Sequence, residues 1–405
     1  MARSLASLGR VDLAAKLLDD SNNLAHLQKA RSSQEEWVYN HYVLTRTLLA
    51  MENAHGIDVG TSLETLARSH IKSAQADEEA LDAIIQCGDW YCQTGMFDKG
   101  RKMLDYAREL GRQITYIPAR LQSALALLAA HCAQRACDEF DLEYHLTSEA
   151  LALSVLNGSV RGILGATAGL MQYCASGGRD EWAYDLAQEG LRIARDTEGS
   201  QLLSQFALQV AGALLWTRYW RALDPLIFEV EKLHHPKSLN WAYLKEFQGV
   251  FLMRVGQYDC AETTLQEAQG LAKDVGSPWL EGMALRDLAC TQHRSGSADA
   301  ASELMKAALA LLVGRCGIAS LGVTYEAASS VLADRRLARL ADQIKVGLLV
   351  RARRLRLPLE HGVEHRAKAP LADVPQPVPT ARRALSLSSD GIRFFRSAGR
   401  KGLSR

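Results

Sequence analysis

The residues best equipped for chemistry are the histidines. His361, Glu364 and His365 spell H-x-x-E-H, the inverted form of a zinc-hydrolase motif. Zinc hydrolysis needs both imidazoles on one face of a rigid helix, a third ligand further along and a dry cleft. Pro358 and Gly362 discourage that helix, and the acids that follow Glu364 are Asp373 and Asp390, in a proline-rich stretch. The motif therefore reads as chance, and neither a metal nor a cofactor is expected. His131 stands beside Cys132 in the apolar run 121–132, where a cysteine nucleophile needs an orienting base and oxyanion donors. His234 and His235 precede Pro236 at a helix end, where imidazole suits the negative end of the helix dipole. No G-x-S-x-G, G-x-G-x-x-G, calcium loop or clustered acid pair occurs. The expectation is a protein that is not an enzyme.

The elements that would position any site come from a repeated pattern. Gly88, Tyr91, Gly95, Phe97, Leu104 and Ala107 set a rhythm that returns at Gly249, Leu252, Gly256, Tyr258, Leu265 and Ala268. A third copy runs through Ala289, Gly296, Ala298, Ala301, Met305 and Ala308, and weaker ones through Gly178 and Tyr219. Small residues let two antiparallel helices approach closely. A glycine after the first helix supplies the left-handed conformation that stops it. Ala261, Leu265, Ala268 and Leu271 then recur with helical period, and no segment alternates at strand period for long. The tryptophans and Tyr91 read mostly as plugs between helices, with Trp241 and Trp279 at helix starts. Segments 320–332 and 337–355 read as closing helices.

These residues resemble the tetratricopeptide-repeat family, whose unit is about 34 residues. The turns here fall near Gly95, Arg135, Gly178, Thr217, Gly256 and Gly296, at intervals of 40, 43, 39, 39 and 40. Longer units of this kind are similar to the sensor solenoid of maltose-activator-type bacterial transcription regulators. The resemblance implies an all-α, right-handed superhelical solenoid over residues 1–357, of about eight hairpins, with the first one incomplete. The ATP-binding module and the helix-turn-helix of those regulators have no counterpart here, since no G-x-x-x-x-G-K-[ST] occurs. The implied role is a scaffold that binds a protein or peptide partner in its concave groove, in a regulatory setting. The groove positions are Asp89 and Gln93, Tyr243, Glu246 and Arg254, and Arg286, His293 and Arg294. Forked guanidinium groups there suit carboxylates, so an acidic peptide is the favoured ligand; pairing within the protein, such as Glu246 with Arg254, is the competing reading. Gly9 would end a first helix too short to be whole, and such an uncapped edge favours oligomer formation.

Composition sets the remaining bounds. The chain has 405 residues, 48% hydrophobic and 23% charged, with a formal net charge of +1. That average hides a split. Residues 351–405 carry 13 basic against 4 acidic side chains, and the rest carry 34 against 42. Five of the nine prolines fall in the same stretch. Residues 358–405 are therefore expected to be a mostly disordered basic tail. Its patch of Arg382, Arg383, Arg393, Arg396, Arg400 and Lys401 is the alternative functional reading, a transcription-linked association with nucleic acid. No apolar run approaches the length of a membrane span, and MARSLASLGR lacks a secretory block, so no membrane partner is expected. The eight cysteines hold no C-x-x-C and lie mainly in apolar helical stretches. Free thiols point to a cytoplasmic setting, or a nuclear one in a eukaryote.

Overall fold

The computed structural model describes residues 63–65, 67–68, 78–134, 139–197, 200–233 and 238–354. The half-repeat at Gly9, the H-x-x-E-H motif and the basic tail patch lie outside them. The described residues are helical throughout, with no strand.

Among the described residues from 78 onward, fourteen α-helices follow one another as hairpins: α1 (Glu78–Gln93) with α2 (Phe97–Gln113), α3 (Ala119–Ala133) with α4 (Phe140–Leu156), and α5 (Val160–Ser176) with α6 (Asp180–Asp196). After α7 (Ser200–Leu214) the partner is a short α8 (Asp224–Glu229) flanked by 3-10 turns at Trp220–Leu223 and Val230–Leu233. Then come α9 (Leu239–Arg254) with α10 (Tyr258–Asp274), α11 (Pro278–Ser295) with α12 (Ala298–Leu312), and α13 (Ile318–Val331) with α14 (Arg335–Arg354). The fragmented partner of α7 departs from the simple repeat, and Pro225 explains it. Proline has no N–H to bond to a carbonyl four residues back, so it is tolerated in the first turn, where α8 begins, but a helix cannot run through it.

The turn glycines do what the repeat requires. Gly256 N–H reaches Met253 O at 3.2 Å and Gln257 N–H reaches Leu252 O at 2.9 Å, the two bonds of a Schellman stop. At Thr217, which has no such freedom, the hydroxyl donates to Leu214 O at 2.9 Å and accepts from Tyr219 N at 3.1 Å. Close helix approach is equally concrete: a Cβ on Gly249 would stand 2.5 Å from Leu265 Cγ. Along α10 the fully buried positions are Ala261, Leu265, Ala268 and Ala272, with Leu271 only half-buried. The inward stripe thus drifts by one residue from the spacing read in the sequence.

The superhelix winds tightly enough for successive turns to touch. Gly95, between α1 and α2, abuts Trp279 at the start of α11. Ile318 N–H, at the start of α13, donates to Gln134 O at the end of α3, 2.8 Å away. Both contacts share one offset (279 − 95 and 318 − 134, each 184). Regular winding explains that identity. The second contact sets a helix N-terminus against a helix C-terminus, so the dipoles run head to tail. Further along, Leu348 and Ala352 of α14 join the apolar core of α4 and α5, and Arg351 lies 3.7 Å from Asp141. Early and late hairpins also share core: Leu81 and Ile84 of α1 and Leu128 of α3 belong to one cluster with Leu280 and Met283 of α11 and Leu312 of α12.

Candidate functional site

The first helices of successive hairpins form one wall, and polar side chains zip them together. Between α1 and α3, Arg120 pairs with buried Asp82 at 2.7 Å, and His131 Nδ1 donates to Asp89 Oδ1 at 2.6 Å. Gln93 Nε2 donates to the other Asp89 oxygen at 2.7 Å. Burial opposes charge on His131, but the Asp89 carboxylate prevails and raises its pKa. Cys92 and Cys132, one repeat apart, bring their thiols to 3.7 Å behind this pair.

Glu143, on α4, is 3% exposed and accepts from Gln134 Nε2 at 2.9 Å. Burial pushes its carboxyl up to about 7, against the pull of Gln134 and His131. An acid whose pKa is raised by folding contributes fully while protonated, and that contribution is lost as pH climbs from the unfolded value toward the folded one. Glu143→Gln keeps the hydrogen-bond acceptor without the charge. It is expected to raise stability at pH 8 by about 2 kcal/mol and to flatten the pH 5–7 slope of the urea midpoint. An unaltered slope would mean that Glu143 ionises as an ordinary carboxylate.

In the later hairpins the wall holds a buried ionic cluster. Arg286 Nε and Nη2 donate to the two Asp287 oxygens at 2.8 and 2.7 Å, and Nη2 stands 3.8 Å from Glu246 Oε1. Its Nη1 points to Thr324 of α13 at 3.4 Å, and its guanidinium carbon lies 5.3 Å from the Trp216 ring centre. Arg286 and Glu246 are each 2% exposed. Burial and then Asp287 raise the Glu246 carboxyl well above its usual range. The cluster thus sets one cation, Arg286, between two carboxyl groups, with Asp287 hydrogen-bonded to it and Glu246 further off. Glu246 is joined to Arg286, and the pairing with Arg254 read from the sequence does not form.

The remaining groove positions are placed differently. Tyr243 is half-buried and donates its hydroxyl to Gln93 O at 2.9 Å, joining α9 to α1; burial raises its pKa. Arg254 is half-buried, donates to Leu215 O beyond the end of α7, and covers Trp220 at 4.7 Å. His293, Arg294 and Gln93 are exposed. The structure therefore brings Asp89, Gln93 and Tyr243 together, and Glu246 with Arg286, whereas His293 and Arg294 stand at the far end of α11. Trp216, read as core filling, is 46% exposed. Asp287 and His131 had a sequence signal as charged or titratable residues inside apolar helices. Trp216 had none. Among the described residues no group of metal-ligating side chains forms, and no helix is long and apolar enough to cross a membrane.

No protein-family model matches the chain, and no curated protein matches it in sequence. Solved structures do match in shape. A Rap protein complexed with competence and sporulation factor aligns over 85% of this chain and 97% of that one, at 12% identity and a TM-score of 0.55. BtubC (BKLC) from P. vanneervenii aligns over 60% of this chain and 98% of that one, at 16% identity and a TM-score of 0.37. An IFIT1 monomeric mutant with Gppp-AAAA aligns over 77% and 68%, at 12% identity and a TM-score of 0.41. The last two superpose loosely. With the hairpin order described above, the likeness to the Rap protein is one of architecture, and the chain is a tetratricopeptide-like helical-repeat solenoid.

Proposed function

We propose that this protein is a non-enzymatic interaction scaffold that holds a peptide or protein segment against the wall of first helices. The observation that carries the reading is Trp216. It stands just beyond the C-terminal end of wall helix α7, is 46% exposed, and lies against Arg286 of the same wall. Tryptophan is among the residues most enriched at the energetic hot spots of protein interfaces. The Rap structure, complexed with competence and sporulation factor, supports the idea that such an architecture can hold a partner. The repeat interval near 40 residues supports a regulatory setting of the maltose-activator type. The seven described cysteines are free thiols, which suits a reducing, cytoplasmic compartment.

Selection from a random peptide library on the purified full-length chain tests this. Peptides should be enriched whose affinity falls about tenfold or more in Trp216→Ala, the loss typical of a tryptophan anchor. Circular dichroism should show that variant to be folded. Peptides that bind the variant equally well would move the surface elsewhere, and the lack of any enrichment would remove the scaffold reading.

The second reading, salt-sensitive nucleic-acid association through Arg382, Arg383, Arg393, Arg396, Arg400 and Lys401, rests on the 13-to-4 basic excess of residues 351–405.

A further inference from the structure

Three arginines converge where three repeats present their turns. Arg221 lies in the 3-10 turn after α7, Arg254 is the last residue of α9, and Arg294 is next to last in α11. Trp220 is the platform: the guanidinium carbons of Arg254 and Arg221 lie 4.7 and 5.0 Å from its ring centre, and Phe251 supports it edge-on at 5.7 Å. Burial and then the repulsion of Arg294 and Arg221 lower the pKa of Arg254, so the three charges feel one another.

Most comparable cations of the solenoid have an acid. Arg101 has Glu139, Arg120 has Asp82, Arg195 has Glu229, Arg218 has Glu181, and Lys245 has Glu231. Among the described residues, no carboxylate comes within ion-pair distance of Arg221, Arg254 or Arg294. Capping the negative ends of helices explains part of this: Arg254 donates to Leu215 O beyond α7, and Arg294 lies in the last turn of α11. It does not explain Arg221, nor why like charges gather on one indole. An open depression lined by Gly256, Tyr258, Asp259, Arg294 and Ser295 adjoins the cluster. Asp259 is exposed in the first turn of α10, where an acid suits the helix dipole.

We propose that Arg221 and Arg254, stacked on Trp220, together with Arg294 beside the adjoining depression form the anchor for a carboxylate of the bound peptide. The inference rests on the scaffold reading and names the chemistry of its ligand. Guanidinium forks match carboxylates and are more weakly hydrated than ammonium groups, so they release water readily on pairing. Guanidinium groups already cover the Trp220 ring, which leaves it poorly placed to stack a nucleobase, so an acidic peptide fits better than RNA or DNA. The carboxylate can come from an acidic side chain or from a C-terminus.

The test uses the full chain, hexaglutamate with an amidated end, an uncharged peptide with a free C-terminus, and oligothymidylate. Arg221 and Arg294 are exposed, so Arg221→Ala/Arg294→Ala should leave the thermal transition unchanged. Hexaglutamate or the free-ended peptide should bind the wild type and lose about tenfold or more affinity in the double variant. Because the C-terminal segment is also basic, a local readout accompanies the affinity. Phenylglyoxal modification, followed by mass spectrometry, should slow at Arg221 and Arg294 on adding peptide and stay unchanged at Arg218. Whichever peptide gives that protection identifies the carboxylate's source. Equal affinity in the double variant without protection would overturn the anchor. So would oligothymidylate protecting these arginines better than either peptide. A library peptide that needs Trp216 but ignores both arginines would overturn the anchor and leave the scaffold reading intact.

Discussion

Arg286→Ala will cost the protein about 3–5 kcal/mol of stability, among the largest losses available to one substitution here. Arg286 is 2% exposed and its fork is spent on Asp287, with Glu246 at 3.8 Å. Burial alone would lower its pKa; the paired Asp287 and the nearby Glu246 outweigh that and raise it. Removing the cation leaves two acids in a site that water does not reach. At least one must stay neutral, and the guanidinium's hydrogen bonds to Asp287 and Thr324 are gone. The loss should be smaller at pH 5 than at pH 8, because protonation neutralises the stranded acids and the unfolded state binds fewer protons there. Urea unfolding at both values measures this. A loss under about 1 kcal/mol would mean that Arg286 faces solvent, as a ligand-binding groove position would. Replacing Arg286, Asp287 and Glu246 together by apolar residues of similar volume should recover most of the stability, since a whole buried ion cluster contributes little net energy.

That cluster shows where sequence reasoning succeeds and where it stops. The hairpins are legible because their causes are local. Gly95, Gly178, Gly256 and Gly296 fall where helices end, and small residues fall where helices cross. The fate of position Arg286 is not local. Whether a side chain ten residues before the turn looks into the groove or into the neighbouring first helix depends on how far each hairpin rotates against the next. In this solenoid the neighbours are close enough for Glu246 to meet Arg286, and for Asp89 to meet His131. The same rotation, summed over five repeats, decides whether turns of the superhelix touch, and no window of sequence contains it. Trp216 lies in the turn before the irregular segment that holds α8, where the repeat pattern does not say which side chains are covered. The arginines at Arg254 and Arg294 were visible as basic groove positions, but their companion Arg221 lies in that irregular segment and follows no repeat rule.

The winding itself can be tested by three substitutions at one repeat position. Gly95, Gly256 and Gly296 all have left-handed backbones, with φ of 79°, 86° and 96°. Alanine at any of them carries the same backbone penalty of roughly 1–2 kcal/mol. Their surroundings differ. A Cβ on Gly256 or Gly296 meets nothing within 4 Å, whereas on Gly95 it would lie 2.4 Å from Trp279 Cβ and 3.1 Å from Arg315 O. Neither neighbour can yield cheaply, because one atom is anchored to the backbone and the other belongs to it. Gly95→Ala should therefore lose a further 1–3 kcal/mol, roughly, by overpacking the contact between turns of the superhelix. The comparison removes the backbone effect, which is common to all three. Thermal or urea unfolding then reads the contact alone. Equal losses for the three glycines would mean that residues 95 and 279 do not meet in solution. The solenoid would then be open, its early and late first helices would not share a core, and Tyr243 would be released from Gln93 to face a ligand.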